Sequence, residues 1–295
     1  MPTNEQRRQA AKRKLDRQLA RRAQRAKRRR LYAVVGSAAA VVLVIGLVVL
    51  ITVLGRREGA DTAAAPGAEP VPSSAVASKL PEQPQTPTRL APPLIRSAPL
   101  PASVDCQYPA SPQPAAKPVA PPRTGSTFTE GSVDVTLATS AGAVPVTLDR
   151  SLAPCTVNSF TSLAQQGYYN GSPCHRLTTS PSLEVLQCGD PTGTGTGGPG
   201  YTVPDETFGD LAYGRGYLAM ANTGQPNSGG GQFFIVYGSA DALNANPTYT
   251  VFGTVSEQGM QVIDTIARAG NDAANGPGDG APKKSITIQT ATVAG

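Results

Sequence analysis

The sequence predicts a mainly β fold: a closed, eight-stranded antiparallel barrel with two helices. A transmembrane helix and a disordered proline-rich stalk precede it. Three observations predict this arrangement. Short segments with apolar residues at every second position recur after Gly125. One uncharged run of 24 residues stands near the start of the 295-residue chain, and the 28 prolines and 31 glycines cluster instead of spreading evenly.

The first element is a basic tail. Residues 1–30 carry 13 of the 26 Lys and Arg and only Glu5 and Asp16 of the 20 acids, which leaves a body of net charge −5 (13 basic against 18 acidic residues). No aromatic residue is interleaved with these charges before Tyr32, so a topogenic, lipid-attracted segment explains them better than nucleic-acid binding. Leu31–Leu54 holds no charge over its 24 residues. At ~1.5 Å per residue it is long enough to cross a hydrocarbon core of roughly 30 Å. Cleavage at Ala63-Ala64-Ala65 is the alternative, but that site lies well past the apolar run, and an uncleaved signal-anchor is expected. The excess of positive charge before the span places the N-terminus in the cytoplasm and the body outside.

Residues 55–124 read as an extracytoplasmic linker. Ala60–Pro122 alone holds 16 of the 28 prolines, a composition that favours extended polyproline II over a packed core. Val104–Tyr108 is the exception, because Cys106 suggests that the end of the stalk is pinned to the body.

Residues 125–295 form the folded domain. Ser132–Thr139 and Ala143–Asp149 alternate around a turn at Ser140-Ala141-Gly142, a hairpin with one buried face. Pro154 suits a first helical turn; Val157, Phe160, Leu163 and Ala164 share one helical face, and Gly167 stops the helix. Cys174–Thr178 and Leu183–Cys188 form a strand pair, and Asp190–Pro204 is loop. Tyr217–Ala221 and Gln232–Tyr237 are buried strands, followed by a strand at Thr248–Val255. A second helix carries Met260, Ile263, Ile266 and Ala267 and ends at Gly270, and Ser285–Val293 closes the set.

Between the two central strands lies Asn222–Gly231, a polar, glycine-rich loop. An ordinary hairpin with a loose connection needs nothing more. A groove that grips a peptide backbone does need amide donors and acceptors beside an apolar pocket. The single histidine excludes multi-histidine metal sites, and the four cysteines lack C-x-x-C spacing, so no metal or cofactor is expected. Gly193–Gly198 fits G-x-G-x-x-G, but Pro199 and Pro204 follow where a dinucleotide site needs a helix.

Read in order, Cys174-His175-Arg176-Leu177, Leu186-Gln187-Cys188-Gly189-Asp190, Thr192–Gly198, Met220-Ala221-Asn222, Gln232-Phe233-Phe234-Ile235 and Val251-Phe252-Gly253 resemble the cyclophilins. These are peptidyl-prolyl cis–trans isomerases, and the resemblance over about Ser126–Val293 is to a membrane-anchored bacterial form. It implies rotation about X–Pro bonds in secreted or cell-envelope proteins. That bond turns over a barrier of roughly 18–20 kcal/mol because the nitrogen lone pair is delocalised. A donor aimed at the nitrogen favours the twisted amide. Arg176 is the expected donor and Gln187 its orienting partner or a holder of the substrate carbonyl. Phe234 and Leu243 match the family's apolar pocket. Asn222, through its backbone, and Gln232 would hold the residue before proline, with Ala221 and Thr223 lining the groove. The plain alternative for Arg176 is a surface ion pair; His175, its strand neighbour, is expected to be structural.

The chain also departs from the family. It has no tryptophan, and Ala242 stands at the family's position. Tyr249 replaces a groove histidine, and the segment between Arg176 and Gln187 is longer and lacks the family's Phe, for which Leu183 and Val185 are the expected substitutes. Weak cyclosporin binding and a monomer are expected, with unfolded secreted proteins and proline-containing peptides as partners and no nucleic acid. The alternative function is a catalytically weak proline-peptide-binding module of the cell envelope. An oxidising location implies disulfides among Cys106, Cys155, Cys174 and Cys188. If Arg176 pairs with Gln187, strand parity sets Cys174 and Cys188 on opposite faces, which disfavours their joining and leaves two connectivities open.

Overall fold

The computed structural model describes residues 88–294. The basic tail, the apolar run Leu31–Leu54 and the first part of the stalk lie outside the described residues. Among the described residues no helix is long and apolar enough to cross a membrane.

The longest strands among the described residues form the hairpin of β3 (Ser132–Thr139) and β4 (Gly142–Asp149). Its register pairs Val133 with Leu148, Val135 with Val146 and Leu137 with Val144. All six side chains are buried, as period-2 alternation with one covered face requires. Helix α1 (Pro154–Gln165) packs Phe160 and Leu163 into the same core. The Phe160 ring meets Tyr169, Phe233 and Phe252 at centroid distances of 4.7, 5.3 and 5.3 Å. Each such buried ring contributes about 1.5–3 kcal/mol. The N-cap residue of α1, Ala153, offers no side-chain acceptor. Glu206 takes that place from a distant loop, accepting from the Cys155 and Thr156 backbone N–H at 2.9 and 2.8 Å. A carboxylate at a helix N-terminus satisfies donors that the helix itself leaves open.

The remaining strands are β5 (Ser172–Pro173), β6 (Arg176–Thr178), β7 (Val185–Cys188), β8 (Tyr217–Met220), β9 (Phe233–Val236), β10 (Val251–Val255), β11 (Asp279–Gly280) and β12 (Thr287–Val293). They join β3 and β4 in one curled antiparallel sheet of order β11-β6-β7-β9-β8-β10-β4-β3-β12-β5. Only Cys174-His175 separates β5 from β6, so the sheet curls back to the stretch of chain at which it begins. Ten segments replace the eight expected strands for two reasons. That stretch is split in two where it leaves β12 for β7, and β11 adds a short pairing on β6.

Among the described residues, two helices beyond α1 are present where one was expected. Helix α2 (Asp241–Asn244) is a single turn. Helix α3 (Glu257–Ala269) buries Met260, Ile263 and Ile266, is capped by Ser256 and ends at Gly270. Gly259 lets it approach the sheet, since a Cβ there would stand 2.7 Å from a Val255 methyl.

Residues 88–124, assigned to the linker on composition, lie against the body. Strand β1 (Ser103–Cys106) pairs with β2 (Gly125–Phe128). Tyr108 is buried and donates to the Cys155 carbonyl. The Arg96 guanidinium donates to the Leu152 and Glu206 carbonyls and sits 4.5 Å over the Phe208 ring. Gln166 and the Ala120 main chain exchange two hydrogen bonds. Proline richness rules out a core of the segment's own, but it leaves the segment free to lie on a core built by other residues.

The disulfides are Cys106–Cys155 and Cys174–Cys188. The first carries out the expected pinning of the stalk. The second corrects the parity argument. Alternation holds only within a continuous ladder, and Cys174-His175 is the break: the Cys174 N–H donates to Ile286 while Arg176 already pairs with Gln187. Counting back from Arg176 therefore does not place Cys174, whose Cα lies 4.0 Å from that of Cys188.

Candidate active site

Directly paired residues of neighbouring strands project on the same side of a sheet. Arg176 of β6 pairs with Gln187 of β7, and Gln187 with Phe234 of β9. Three of the expected site residues thus form one row across the sheet. Tyr249 extends it, its ring standing edge-on to Phe234 at 5.3 Å.

The Arg176 guanidinium is held from two directions. Asp279 accepts from Nε at 2.9 and 3.1 Å and from Nη2 at 2.6 Å. Gln187 Oε1 accepts from Nη1 at 3.3 Å. The Asp279 hydrogen bonds raise the Arg176 pKa and lower that of Asp279. The ion-pair alternative is therefore realised, yet the side chain is one-third exposed. A guanidinium carries five N–H donors. These contacts engage three of them, leaving one hydrogen on each of Nη1 and Nη2.

From Arg176 the polar chain runs on. Gln187 Nε2 donates to Gln232 Oε1 at 2.9 Å, and Gln232 Nε2 donates to the carbonyls of Gly195 and Gly197 at 3.0 and 2.9 Å. Gln232, the residue expected to hold substrate, thus also ties down the glycine-rich loop through its amide nitrogen. Gln187 and Gln232 line a cleft of about 300 Å³ together with Ala221, Asn222 and Thr223. The Asn222 amide donates to the Thr248 carbonyl and accepts from the Gly224 N–H.

The Gly/Thr loop wraps around a carboxylate of its own chain. Asp190 is fully buried and accepts from the backbone N–H of Thr192, Gly195 and Gly197 and from the Thr192 hydroxyl. Burial pushes its pKa up, and these hydrogen bonds outweigh that and bring it below the usual carboxylate value. A Cβ at Gly197 would stand 2.1 Å from Asp190 Oδ1. The loop is thus a cradle for an internal anion, which accounts for the G-x-G spacing without a nucleotide.

Leu243 lies on α2, half-buried against the core. Ala242 donates its N–H to the Ser182 carbonyl, which brings the Leu183 segment beside α2. Val185 is buried on the side of β7 shared with Gln187, and Leu183 packs partly exposed against the core. His175 stays out of the row. Its ring lies 3.4 Å from where a Cβ on Gly195 would be, and burial lowers its pKa.

Sequence reasoning missed three residues. Asp279 comes from the irregular stretch after α3, where no period marks it. Tyr213 bonds both to the Tyr249 main chain (its hydroxyl donating at 2.9 Å and accepting at 2.7 Å) and to Asn244 of α2. Tyr213 and Asn244 thereby fix the Tyr249 and Leu243 walls relative to each other. Both stand in loop-like sequence, and nothing in their neighbours signals the contact.

The family model described as cyclophilin type peptidyl-prolyl cis-trans isomerase/CLD matches residues 133–293. The probable peptidyl-prolyl cis-trans isomerase B of Mycobacterium tuberculosis is 49% identical over 210 residues, covering 67% of this chain and 66% of the relative. The Mycobacterium leprae protein of the same name is 46% identical over 200 residues, covering 63% and 66%. The chain therefore spans about two thirds of the length of these relatives. A crystal structure of a Cryptosporidium parvum cyclophilin type peptidyl-prolyl cis-trans isomerase aligns with 56% of this chain and 99% of its own, at 30% identity and a TM-score of 0.48. The family match takes in more than half of the chain and contains the whole Arg176–Gln187–Phe234 row: the chain belongs to the cyclophilin type peptidyl-prolyl cis-trans isomerases.

Proposed function

We propose that this chain accelerates cis–trans rotation about X–Pro bonds in secreted or cell-envelope proteins, from a position tethered to the cell membrane. The observation that carries the reading is the row of Arg176, Gln187 and Phe234 on one side of the sheet, with Tyr249 against Phe234. The proline ring packs on Phe234, Tyr249 and Leu243, in a pocket whose further wall is the Leu183 and Val185 segment. As the amide twists, its nitrogen regains the lone pair, and an unspent N–H of Arg176 donates to it. Planar cis and trans forms offer no such acceptor, so the contact lowers the barrier without tightening the ground state. Gln187 keeps the guanidinium facing the groove. Asn222 holds the preceding residue through its main chain, with Ala221 and Thr223 as the groove wall. This machinery stands on a sheet that we read as a closed eight-stranded barrel.

The tether is Leu31–Leu54, with residues 1–30 in the cytoplasm and the isomerase domain outside. Two disulfides among the described residues support an oxidising location. The protein acts as a monomer and binds cyclosporin weakly, because the tryptophan position is Ala242 and the histidine position Tyr249. The test is a proline-isomerisation assay on the full chain in detergent. Arg176→Ala is expected to lower kcat/KM by about 100-fold, some 2.7 kcal/mol of transition-state stabilisation at ~1.4 kcal/mol per tenfold. Equal rates for the two proteins would remove the mechanism, and equal rates at the uncatalysed level would leave a peptide-binding module.

A further inference from the structure

We propose that Asp279 is a positioning residue of this reaction, clamping the Arg176 guanidinium so that its Nη1 edge faces the groove; the inference rests on the role of Arg176 proposed above. A long, flexible arginine on a sheet surface samples many rotamers, and freezing it costs conformational entropy. Gln187 alone holds it by one contact of 3.3 Å. Asp279 adds contacts to Nε and Nη2 at 2.6 to 3.1 Å along the opposite edge of the fork. A carboxylate gripping that edge leaves the plane of the guanidinium no freedom to rotate about its own axis. Clamped from both sides, the head group has one orientation.

The carboxylate is itself fixed. Asp279 opens β11, whose pairing sets it opposite Thr178 and Gly280 opposite Leu177 on the strand that carries Arg176. Asn275 Nδ2 donates to Asp279 Oδ1 at 3.2 Å, and the Asn275 N–H donates to the Asp279 carbonyl at 3.0 Å. Asn271 anchors the start of the same loop through its amide, which donates to the Leu177 carbonyl and to the Thr179 hydroxyl. Residues 271–280 thus make a bracket whose far end is the carboxylate. Backbone pairing to β6 sets its height, so Asp279 and Arg176 move together.

Pairing also removes most of the net charge without removing the donors. The reacting amide is neutral, so what it requires from Arg176 is a directed N–H, not a cation in open water. The clamp supplies that direction.

The experiment measures kcat and KM separately on the full chain in detergent for the wild type, Asp279→Ala, Asp279→Asn and Arg176→Ala, with melting temperatures. It also follows the Arg176 Nε–H resonance by nitrogen-resolved NMR. Asp279→Ala is expected to lower kcat about tenfold with KM changed less than about twofold, the signature of a misplaced group that acts in the transition state. Its Arg176 Nε–H signal should broaden or vanish while the melting temperature stays close to that of the wild type. Asp279→Asn keeps an acceptor oxygen for the guanidinium and should recover most of kcat. If kcat in Asp279→Ala equals that of the wild type while Arg176→Ala is impaired, the clamp is refuted and the arginine's role stands. A fall in kcat that tracks a fall in melting temperature, with no recovery in Asp279→Asn, would make Asp279 merely structural and refute the inference as well. If Arg176→Ala is itself unimpaired, the reading beneath the inference fails.

Discussion

His175 shows how a single residue carries a signal that the sequence marks and only its surroundings explain. It is the chain's only histidine, and its two ring nitrogens are buried with no hydrogen-bond partner among the described residues. Burial lowers its pKa, more than offsetting the pull of Asp190, and Arg176 lowers it further. The folded state thus prefers the neutral ring. The unfolded chain takes up a proton near pH 6.5 while the folded one resists until lower pH. The contribution to stability is then complete above 6.5 and is lost as pH falls through the folded-state value. Urea unfolding midpoints should decline on going from pH 7 to pH 5, and His175→Gln should flatten that decline. A slope unchanged by the substitution would place the titration elsewhere. Arg176 itself stood out in the sequence through its motif. Its partner Asp279 did not, because 103 residues separate them and neither lies in a pattern that points to the other.

At the scale of elements, the β6–β7 hairpin marks the limit of strand parity. Arg176 does stand opposite Gln187, the condition from which parity was counted, yet parity does not extend far from that pair. It failed for Cys174, because the strand changes partners there, from β12 to β7, and a change of partner resets the alternation. The consequence is a covalent staple immediately outside the Arg176–Gln187 pair, closing a loop with a sequence separation of 14. Chain-entropy reasoning gives a loop of that size about 3 kcal/mol. The double variant Cys174→Ala with Cys188→Ala should lose roughly that much stability in urea titrations and should lose kcat besides, since the register of Arg176 against Gln187 is no longer locked. A variant with full activity would show that backbone pairing alone suffices. Helix α1 teaches the same lesson at its end. Pro154 announced where the helix begins, but the cap comes from Glu206, 51 residues on from the Cys155 N–H it satisfies.

At the scale of the molecule, the body does not end where the composition changes. Residues 88–124 contribute a disulfide, a buried tyrosine and the Arg96 contacts to Leu152 and Glu206. A fragment starting at Arg123 would expose the core beside Cys155 and leave that cysteine unpaired. Compared with a fragment starting at Thr88, it should unfold at lower urea concentration, by at least the 2–4 kcal/mol typical of one lost disulfide. Coincident unfolding curves for the two fragments would mean that the wrapped segment adds nothing to stability. Part of the proline-rich stretch is held on the body.

By itself the sequence determined the main strands and the two long helices of the domain, their inward faces and the motifs that carry the family resemblance. Those depend on local period and on short motifs, which neighbouring residues encode. Only the tertiary structure decided which cysteines join, who caps α1, that Gln232 ties down the Gly195–Gly197 loop, and that Asp279 grips Arg176. Each of these is a meeting of groups brought together by the curl of the sheet. The energy of such a contact appears only once the intervening chain has folded, so no local pattern records it.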